Sequence, residues 1–239
     1  MPAGVVAGIT GSVAGLASLV SYPALLALGL PPVVANVSNT VALVFGGIGS
    51  VSASRVELAG RGRRMVPLAV ATISGGVIGG LLLMLAPAAS FAYIVPWLIG
   101  GASAAVLVPR RVRPRTPHRW HQPLLYAGAT LIGIYGGYFG AASGVLLLAL
   151  MLAMTDDTLP QIGASRNLLL GLANAVASVV FVLFGSVKWI AAIPLAIGFL
   201  IGGRVGPRIT RKTPAGPLQL MIAVAGLGLA AELGWRAYR

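Results

Sequence analysis

The chain has 239 residues, of which 57% are hydrophobic and only 9% are charged, with a formal net charge of +13. A soluble domain carries about a quarter charged residues, so this chain cannot cover a water-exposed surface, and its apolar content excludes a disordered protein. It contains no cysteine, which excludes disulfides, thiolate chemistry and cysteine-ligated metals.

Long charge-free stretches indicate the class of protein. No Asp, Glu, Lys or Arg occurs in residues 1–54, 65–109 or 120–155, and one helical crossing of a bilayer needs only about 20 apolar residues. The basic residues fall in short runs between these stretches, as expected for the loops of a membrane protein rather than for a nucleic-acid-binding patch. We therefore predict an all-α, polytopic helical protein whose partners include the lipid bilayer and exclude nucleic acid.

Hydropathy predicts eight spans. Lys and Arg residues of their loops then divide into twelve on the side of the N-terminus and four on the other, which predicts that both termini are cytoplasmic. The four, at positions 204, 208, 211 and 212, fit poorly, and a re-entrant segment nearby would move them to the basic side. The spans cover about residues 4–28, 33–52, 66–85, 91–108, 123–154, 159–184, 189–205 and 217–234, with a basic linker over residues 109–122.

The two halves of the chain resemble each other. Gly8-Ile-Thr-Gly11 matches Gly133-Ile-Tyr-Gly136, and Asn39 matches Asn167, so equivalent positions are separated by about 125–128 residues throughout. This spacing predicts two four-helix repeats, residues 1–108 and 123–239. Because each repeat would hold an even number of crossings, we expect the repeats to be parallel, with a site at their interface.

The fifth predicted span contains five glycines within residues 133–144. Glycine spacing of this kind indicates either close helix packing or a broken helix that lines a polar cavity. The hydroxyls of Tyr135, Tyr138 and Ser143 lie within this stretch, and Ser18 occupies the position equivalent to Ser143. We predict glycine-rich, broken first helices in both repeats and count these four residues as candidate binding residues.

A single arginine, Arg166, falls at the start of the sixth predicted span. An arginine close to hydrocarbon is costly, so it indicates either a functional group or a structural ion pair with the nearby Asp156 and Asp157. Its rigid fork of donors suits oxyanions. The neighbouring Asn167 and the matching residues Ser38 and Asn39 could complete an anion site.

Several of these segments together resemble the TauE/SafE, or sulfite exporter, family of membrane permeases. The segments are Gly133-Ile-Tyr-Gly-Gly-Tyr-Phe-Gly-Ala-Ala-Ser-Gly144, Asn167-Leu-Leu, Phe184-Gly-Ser-Val-Lys-Trp189 and Gly202-Gly-Arg-Val-Gly206. The resemblance implies a permease of the bacterial or archaeal plasma membrane that moves small, often sulfur-containing anions and is coupled to an ion gradient, with no cofactor.

The sequence therefore predicts a non-enzymatic secondary permease for a small anion. Arg166 is expected to attract the substrate, and the hydroxyl and amide residues named above are expected to coordinate it. A membrane accessory protein that transports nothing remains the alternative, and a dry, fully packed interface between the repeats would favour it. A second copy of the chain is a further candidate partner.

Overall fold

The computed structural model describes residues 1–107, 121–210 and 216–238, and most of the predicted basic linker lies outside these ranges. The described residues form helices and connecting turns, with no strand. The helices are α1 (Pro2–Ala14), α2 (Ala17–Ala27), α3 (Pro32–Ala53), α4 (Arg55–Leu58), α5 (Gly62–Leu85), α6 (Ala88–Leu107), α7 (His121–Tyr138), α8 (Ser143–Met154), α9 (Leu159–Phe184), α10 (Trp189–Thr210) and α11 (Gly216–Tyr238).

The prediction of a polytopic helical membrane protein is confirmed. Within the described ranges, α3, α5, α9 and α10 are each long and apolar enough to cross a bilayer, and several shorter apolar helices accompany them. Large apolar side chains such as Ile190 and Phe184 are more than two-thirds exposed on the outside of the bundle, where lipid would cover them. The buried interior is rich in alanine and glycine, which allows the helix backbones to approach closely.

The first predicted span of each half is broken, as the glycine pattern indicated. α1 ends at Gly15, whose φ is +78°, and α2 begins two residues later. α7 ends before Gly140, whose φ is +77°, and Ala142 with φ +55° leads into α8. A left-handed backbone costs a residue with a side chain about 1–2 kcal/mol, so glycine at the two equivalent positions 15 and 140 makes the breaks inexpensive.

Contacts between helices show the direction in which each one runs. α1 runs parallel to α10, because Gly4 packs against Gly198 and Gly8 against Gly202. α3 also runs parallel to α10, because Gly46 packs against Phe199 and Ser50 donates to the Gly203 carbonyl. Since α1 and α3 run in the same direction, the intervening α2 must run back. The first broken segment is therefore a re-entrant hairpin that enters and leaves on one side.

The second broken segment doubles back in the same way. α7 runs parallel to α5, where Gly79 meets Tyr138, and α5 runs parallel to α9, where Gly76 and Gly80 meet Ala173 and Ala177. α7 and α9 thus share a direction, and α8 returns the chain between them. A hairpin of two half-helices is as hydrophobic as one full span, which is why the sequence predicted one full crossing for each of these segments.

This arrangement corrects the expectation that the two halves run parallel. Equivalent helices pair in opposite directions: α3 crosses α9 with Gly47 at Gly171 and Thr40 at Ser178, and α6 pairs with α11 in the same antiparallel sense. A two-fold axis that reverses equivalent helices lies in the membrane plane, so the halves are related by inversion. The residue boundaries of the two repeats stay a prediction.

An ion pair between loops agrees with these directions. Arg61, between α4 and α5, binds the carboxylate of Asp157, between α8 and α9. Eight full crossings would place these two loops on opposite faces of the membrane, whereas two re-entrant hairpins place them on the same face. Lys188, before α10, lies on the other face, where its backbone N–H donates to Ser38 near the start of α3.

The break at Gly15 gives a direct test of this packing. A Cβ at Gly15 would lie 2.6 Å from the Gly144 backbone, whereas Gly29, which has a similar φ of +81°, has open space around it. Both Gly→Ala variants suffer the backbone strain, which lowers the Tm by roughly 2–8 °C for a chain of this size. We expect Gly15→Ala to lower the Tm at least twice as much as Gly29→Ala in detergent. Equal losses would mean that the two breaks do not touch.

Candidate functional site

A cavity lies where the two re-entrant hairpins meet. Its glycines come from α1, α3, α8, α9 and the two breaks, and Gly15 packs directly against Gly144. Polar side chains face it from α1, α2, α3, α8 and α9, and none of its lining residues is acidic or basic. These polar residues are Ser12, Ser18, Ser50, Ser143, Asn167 and Asn174.

Two half-helices begin at this cavity. Ala17 and Ser18 form the first turn of α2, Ser143 and Gly144 form the first turn of α8, and all four line the cavity. Neither helix has a side-chain hydrogen bond at its N-cap. The first N–H groups of a helix lack intrahelical acceptors and carry partial positive charge, so the two N-termini together favour a negatively charged ligand.

Asn39 fixes the geometry of the α2 terminus. Its amide nitrogen donates to Ser18 Oγ over 3.1 Å, and its Oδ1 accepts a hydrogen bond of 2.6 Å from Ser21. Asn39 is fully buried and does not line the cavity in this structure. It therefore orients the Ser18 hydroxyl, which does line the cavity.

Arg166 lies beside the cavity with its side chain buried among protein groups. Its exposure is 1%, and its Nη2 donates to the carbonyls of Ser12 over 2.6 Å and Gly11 over 3.3 Å. These carbonyls belong to the last turn of α1, where a helix has orphan acceptors and partial negative charge. The guanidinium thus stabilises the broken end of α1.

Asn167 connects this cation to the cavity. Its Oδ1 accepts hydrogen bonds from Arg166 Nη2 over 2.8 Å and Nε over 3.2 Å, and its Nδ2 lies 3.3 Å from the Ser12 carbonyl. The carbonyl oxygen of the amide is thus turned to the guanidinium, and its NH₂ group shares the Ser12 carbonyl with Arg166, which leaves the second amide hydrogen for another acceptor. Asn167 also lines the cavity, so this cation orients an amide donor at its wall.

The remaining candidates have other contacts. The Tyr135 hydroxyl donates to the Ala141 carbonyl over 2.6 Å, and this bond closes the turn between α7 and α8. The Tyr138 ring packs against Phe91, with ring centroids 5.6 Å apart. The Ser38 hydroxyl accepts the Lys188 N–H. Of the eight predicted site residues, the structure thus places Ser18, Ser143 and Asn167 at the cavity wall and Arg166 and Asn39 directly behind it.

Three polar lining residues were missed by the sequence analysis as candidates: Ser12, Ser50 and Asn174. Ser50 and Asn174 each lie on the helix that follows a hairpin, seven to eleven residues beyond the predicted Asn39 or Asn167. A spacing of seven residues is two helical turns and keeps a residue on the same face. Extending the face of Asn167 by two turns would have identified Asn174.

Inverted repeats with two broken helices that meet at a cavity are typical of a class of membrane transporters. The family model for sulfite exporter TauE/SafE matches residues 1–233, and the chain belongs to that family.

Curated relatives carry transporter names. The chain is 26% identical to a probable membrane transporter protein, ORF9, of a Sinorhizobium species over 95% of this chain and 88% of the relative. It is 24% identical to the probable membrane transporter protein YfcA of Escherichia coli K12 over 95% and 85% of the two chains. A probable membrane transporter protein of Haemophilus influenzae is 23% identical over 97% and 93%. No solved structure matches the chain. Together with the family match, these names indicate a membrane transporter rather than an enzyme.

The role of Arg166 can be tested by its effect on folding. Arg166→Gln removes charge-assisted bonds to carbonyls that stay buried, and each such bond contributes about 1.5–3 kcal/mol. We expect a Tm at least ~5 °C lower in detergent without any ligand. Arg204→Gln, which removes an exposed arginine of α10, is the matched control and should leave the Tm nearly unchanged. Equal Tm values for the two variants would contradict the role of Arg166 in stabilising the end of α1.

Proposed function

We propose that this protein is a secondary permease that moves a small anion, a sulfur-containing oxyanion or an organosulfonate, across a bacterial or archaeal plasma membrane by alternating access. The observation that carries the proposal is the meeting of two half-helix N-termini at a cavity lined by uncharged hydrogen-bond donors. Half-helix N-termini at the midplane of inverted repeats are a general means of binding anionic groups within a membrane.

The chemistry of the wall favours an anion of this kind. The Ser18 hydroxyl, whose oxygen accepts from Asn39, and the Asn167 amide offer donors at the cavity wall. The Ser143 hydroxyl donates to the Gly140 carbonyl, and the α8 N-terminus beside it contributes partial positive charge. A tetrahedral or pyramidal oxyanion accepts hydrogen bonds in several directions and uses such an arrangement well. Arg166 adds positive potential from behind Asn167. In this proposal it attracts the anion through space and positions the amide, rather than acting as a direct ligand.

The cavity also favours a transporter over the alternative of a non-transporting accessory protein. A non-transporting scaffold needs no polar opening between its halves, and small residues would then allow dry packing throughout. Here the glycines at the breaks leave room that serine and asparagine side chains line. The curated relatives named as probable membrane transporters support the same choice.

We propose further that the termini lie outside the cytoplasm. With two re-entrant hairpins, the loops between α3 and α5, between α6 and α7 and between α10 and α11 share one face, and the termini and the α9–α10 loop share the other. The first face then receives thirteen Lys and Arg residues: Arg55, Arg61, Arg63, Arg64, Arg110, Arg111, Arg113, Arg115, Arg119, Arg204, Arg208, Arg211 and Lys212. The positive-inside rule assigns that face to the cytoplasm, which reverses the sidedness expected from eight full spans.

Anion binding to the purified protein tests the transport proposal. Sulfite, sulfate, thiosulfate, sulfoacetate and chloride are compared by thermal shift, and a ligand at 100 times its Kd stabilises the folded state by about 2.7 kcal/mol. Asn167→Asp places a carboxylate at the wall, so we expect it to weaken the binding of the selected anion about 10-fold or more through charge repulsion.

Gln122→Glu is the matched control for this variant, because it adds the same charge at an exposed position on α7, away from the cavity. It should retain the Kd of the unmodified chain. An absence of any shift with all five anions would contradict the assignment of an oxyanion or organosulfonate as substrate. Equal weakening by both variants would contradict the site.

Reporter fusions test the sidedness. Eight full spans place the segment 109–122 and the C-terminus on the same face, whereas two re-entrant hairpins place them on opposite faces. We expect alkaline phosphatase, which is active only outside the cytoplasm, to be active when fused after Arg239. We expect green fluorescent protein to fluoresce when inserted within 109–122, which is the cytoplasmic face in this topology. Fluorescence from both fusion sites would contradict the two re-entrant hairpins and support eight full spans with parallel repeats.

A further inference from the structure

The cavity is asymmetric although the two halves of the protein are related by an inverting two-fold. On α3 it extends from Leu43 to Ser50, which is the half of that helix nearer the cytoplasmic end proposed above. It includes the α1 residues Gly8 and Ser12 and excludes their α7 counterparts, Gly133 and Gly137. These two glycines of α7 pack against Thr72 and Gly76 of α5 and do not border the cavity.

The equivalent asparagines show the same asymmetry. Asn167 lines the cavity and is partly exposed, whereas Asn39 is 0% exposed and holds Ser18 and Ser21. A pair of equivalent serines, Ser50 on α3 and Ser178 on α9, also differs in its relation to the cavity. Both serines are buried, but Ser50 lines the cavity, whereas its counterpart at the same offset of 128, Ser178, does not line it and donates to the Thr40 carbonyl near the opposite end of α9.

In an inverted repeat, exchanging the conformations of the two halves produces a structure that opens to the other side. The two breaks are compatible with this exchange, because Gly15 and Gly140 have nearly equal positive φ angles of +78° and +77°. An exchange would bring Asn39 and Ser178 to the wall and would enclose Asn167 and Ser50. Ser18 and Ser143, which are each other's counterparts and both line the cavity now, would stay at the wall in both states.

We propose that the anion site has a second face, closed in this structure, which Asn39 and Ser178 line when the site opens to the non-cytoplasmic side. The inference rests on the transport function proposed above. It assigns Ser18 and Ser143 as contacts common to both states, with Asn167 as the inward contact and Asn39 as its outward counterpart. The hydrogen bond that Asn39 donates to Ser18 and the one that it accepts from Ser21 belong to the closed state of that face.

Single cysteines can test this assignment directly, because the chain has none of its own. Ser50→Cys, Ser178→Cys and Ser103→Cys are each treated with 2-sulfonatoethyl methanethiosulfonate, an impermeant anionic thiol reagent, from either side of oriented vesicles. Ser103 is buried on α6 and lines neither face, so Ser103→Cys measures background labelling. The serine-to-cysteine change keeps side-chain size and shape nearly constant.

We expect Ser50→Cys to react from the cytoplasmic side and Ser178→Cys from the opposite side. A minor conformation is typically populated at about 0.1–10%, so labelling of Ser178→Cys should be about 10- to 1000-fold slower than that of Ser50→Cys and still faster than background. Sulfate at saturating concentration, which does not react with the reagent, should protect Ser50→Cys, because the anion occupies the wall beside it.

Three results would overturn parts of the scheme separately. Labelling of Ser178→Cys from the cytoplasmic side, or at the rate of Ser103→Cys from both sides while sulfate still protects Ser50→Cys, would contradict the second face and leave the binding site intact. An unreactive Ser50→Cys would show that the cavity is closed to anions and would contradict the transport proposal itself.

Discussion

The structure depends on one backbone contact, the approach of Gly15 to Gly144 where the two re-entrant hairpins meet. Any side chain at either position would collide with the opposite backbone, because an added Cβ would lie 2.6 Å from it. This contact brings the starts of α2 and α8 to the same place. The positive ends of both half-helices therefore act on one small volume in the interior of the bundle.

Around this point the helices are held by close contacts between small residues. Gly8 meets Gly202, Gly47 meets Gly171, and equivalent contacts join α5 to α7 and α9. In a lipid environment the hydrophobic effect does not drive helices together, so van der Waals contact between closely spaced backbones has to do so. Flat glycine surfaces also lack interlocking side chains, which makes small sliding movements between helices inexpensive and suits a protein that changes shape.

The sequence was sufficient for the class of fold, the breaks and much of the wall. A constant offset between glycines and asparagines identified equivalent positions, and the cluster at residues 133–144 identified the second break. The direction of the halves was not predictable from hydropathy, because a 13-residue and an 11-residue apolar helix separated by two residues have the same profile as one crossing. The four basic residues at positions 204–212, on the wrong side of an eight-span scheme, were the available sign of a re-entrant segment.

The hydrogen-bond partners of Arg166 could not be predicted from the sequence either. Composition indicates that a guanidinium close to hydrocarbon needs partners, and its sequence neighbours Asp156 and Asp157 or a bound anion were the evident choices. The structure instead supplies backbone carbonyls from a helix that is more than 150 residues distant in the chain. The Ser12 carbonyl is free to accept because α1 stops at Gly15, so the break provides the partner that the arginine needs.

The positions of the basic residues differ between the loops of the two halves, whose helices run in opposite directions. In the first half the arginines follow α3, and the turn after α5, at residues 86–87, carries no charge. In the second half the loop after α9 has a single lysine, and the arginines follow α10 instead. Moving the basic residues from one loop to the next reverses which face of the helical unit stays in the cytoplasm during membrane insertion. A unit with an odd number of crossings could therefore be joined to a copy of itself, and its orientation reset by a few surface substitutions without altering a buried residue.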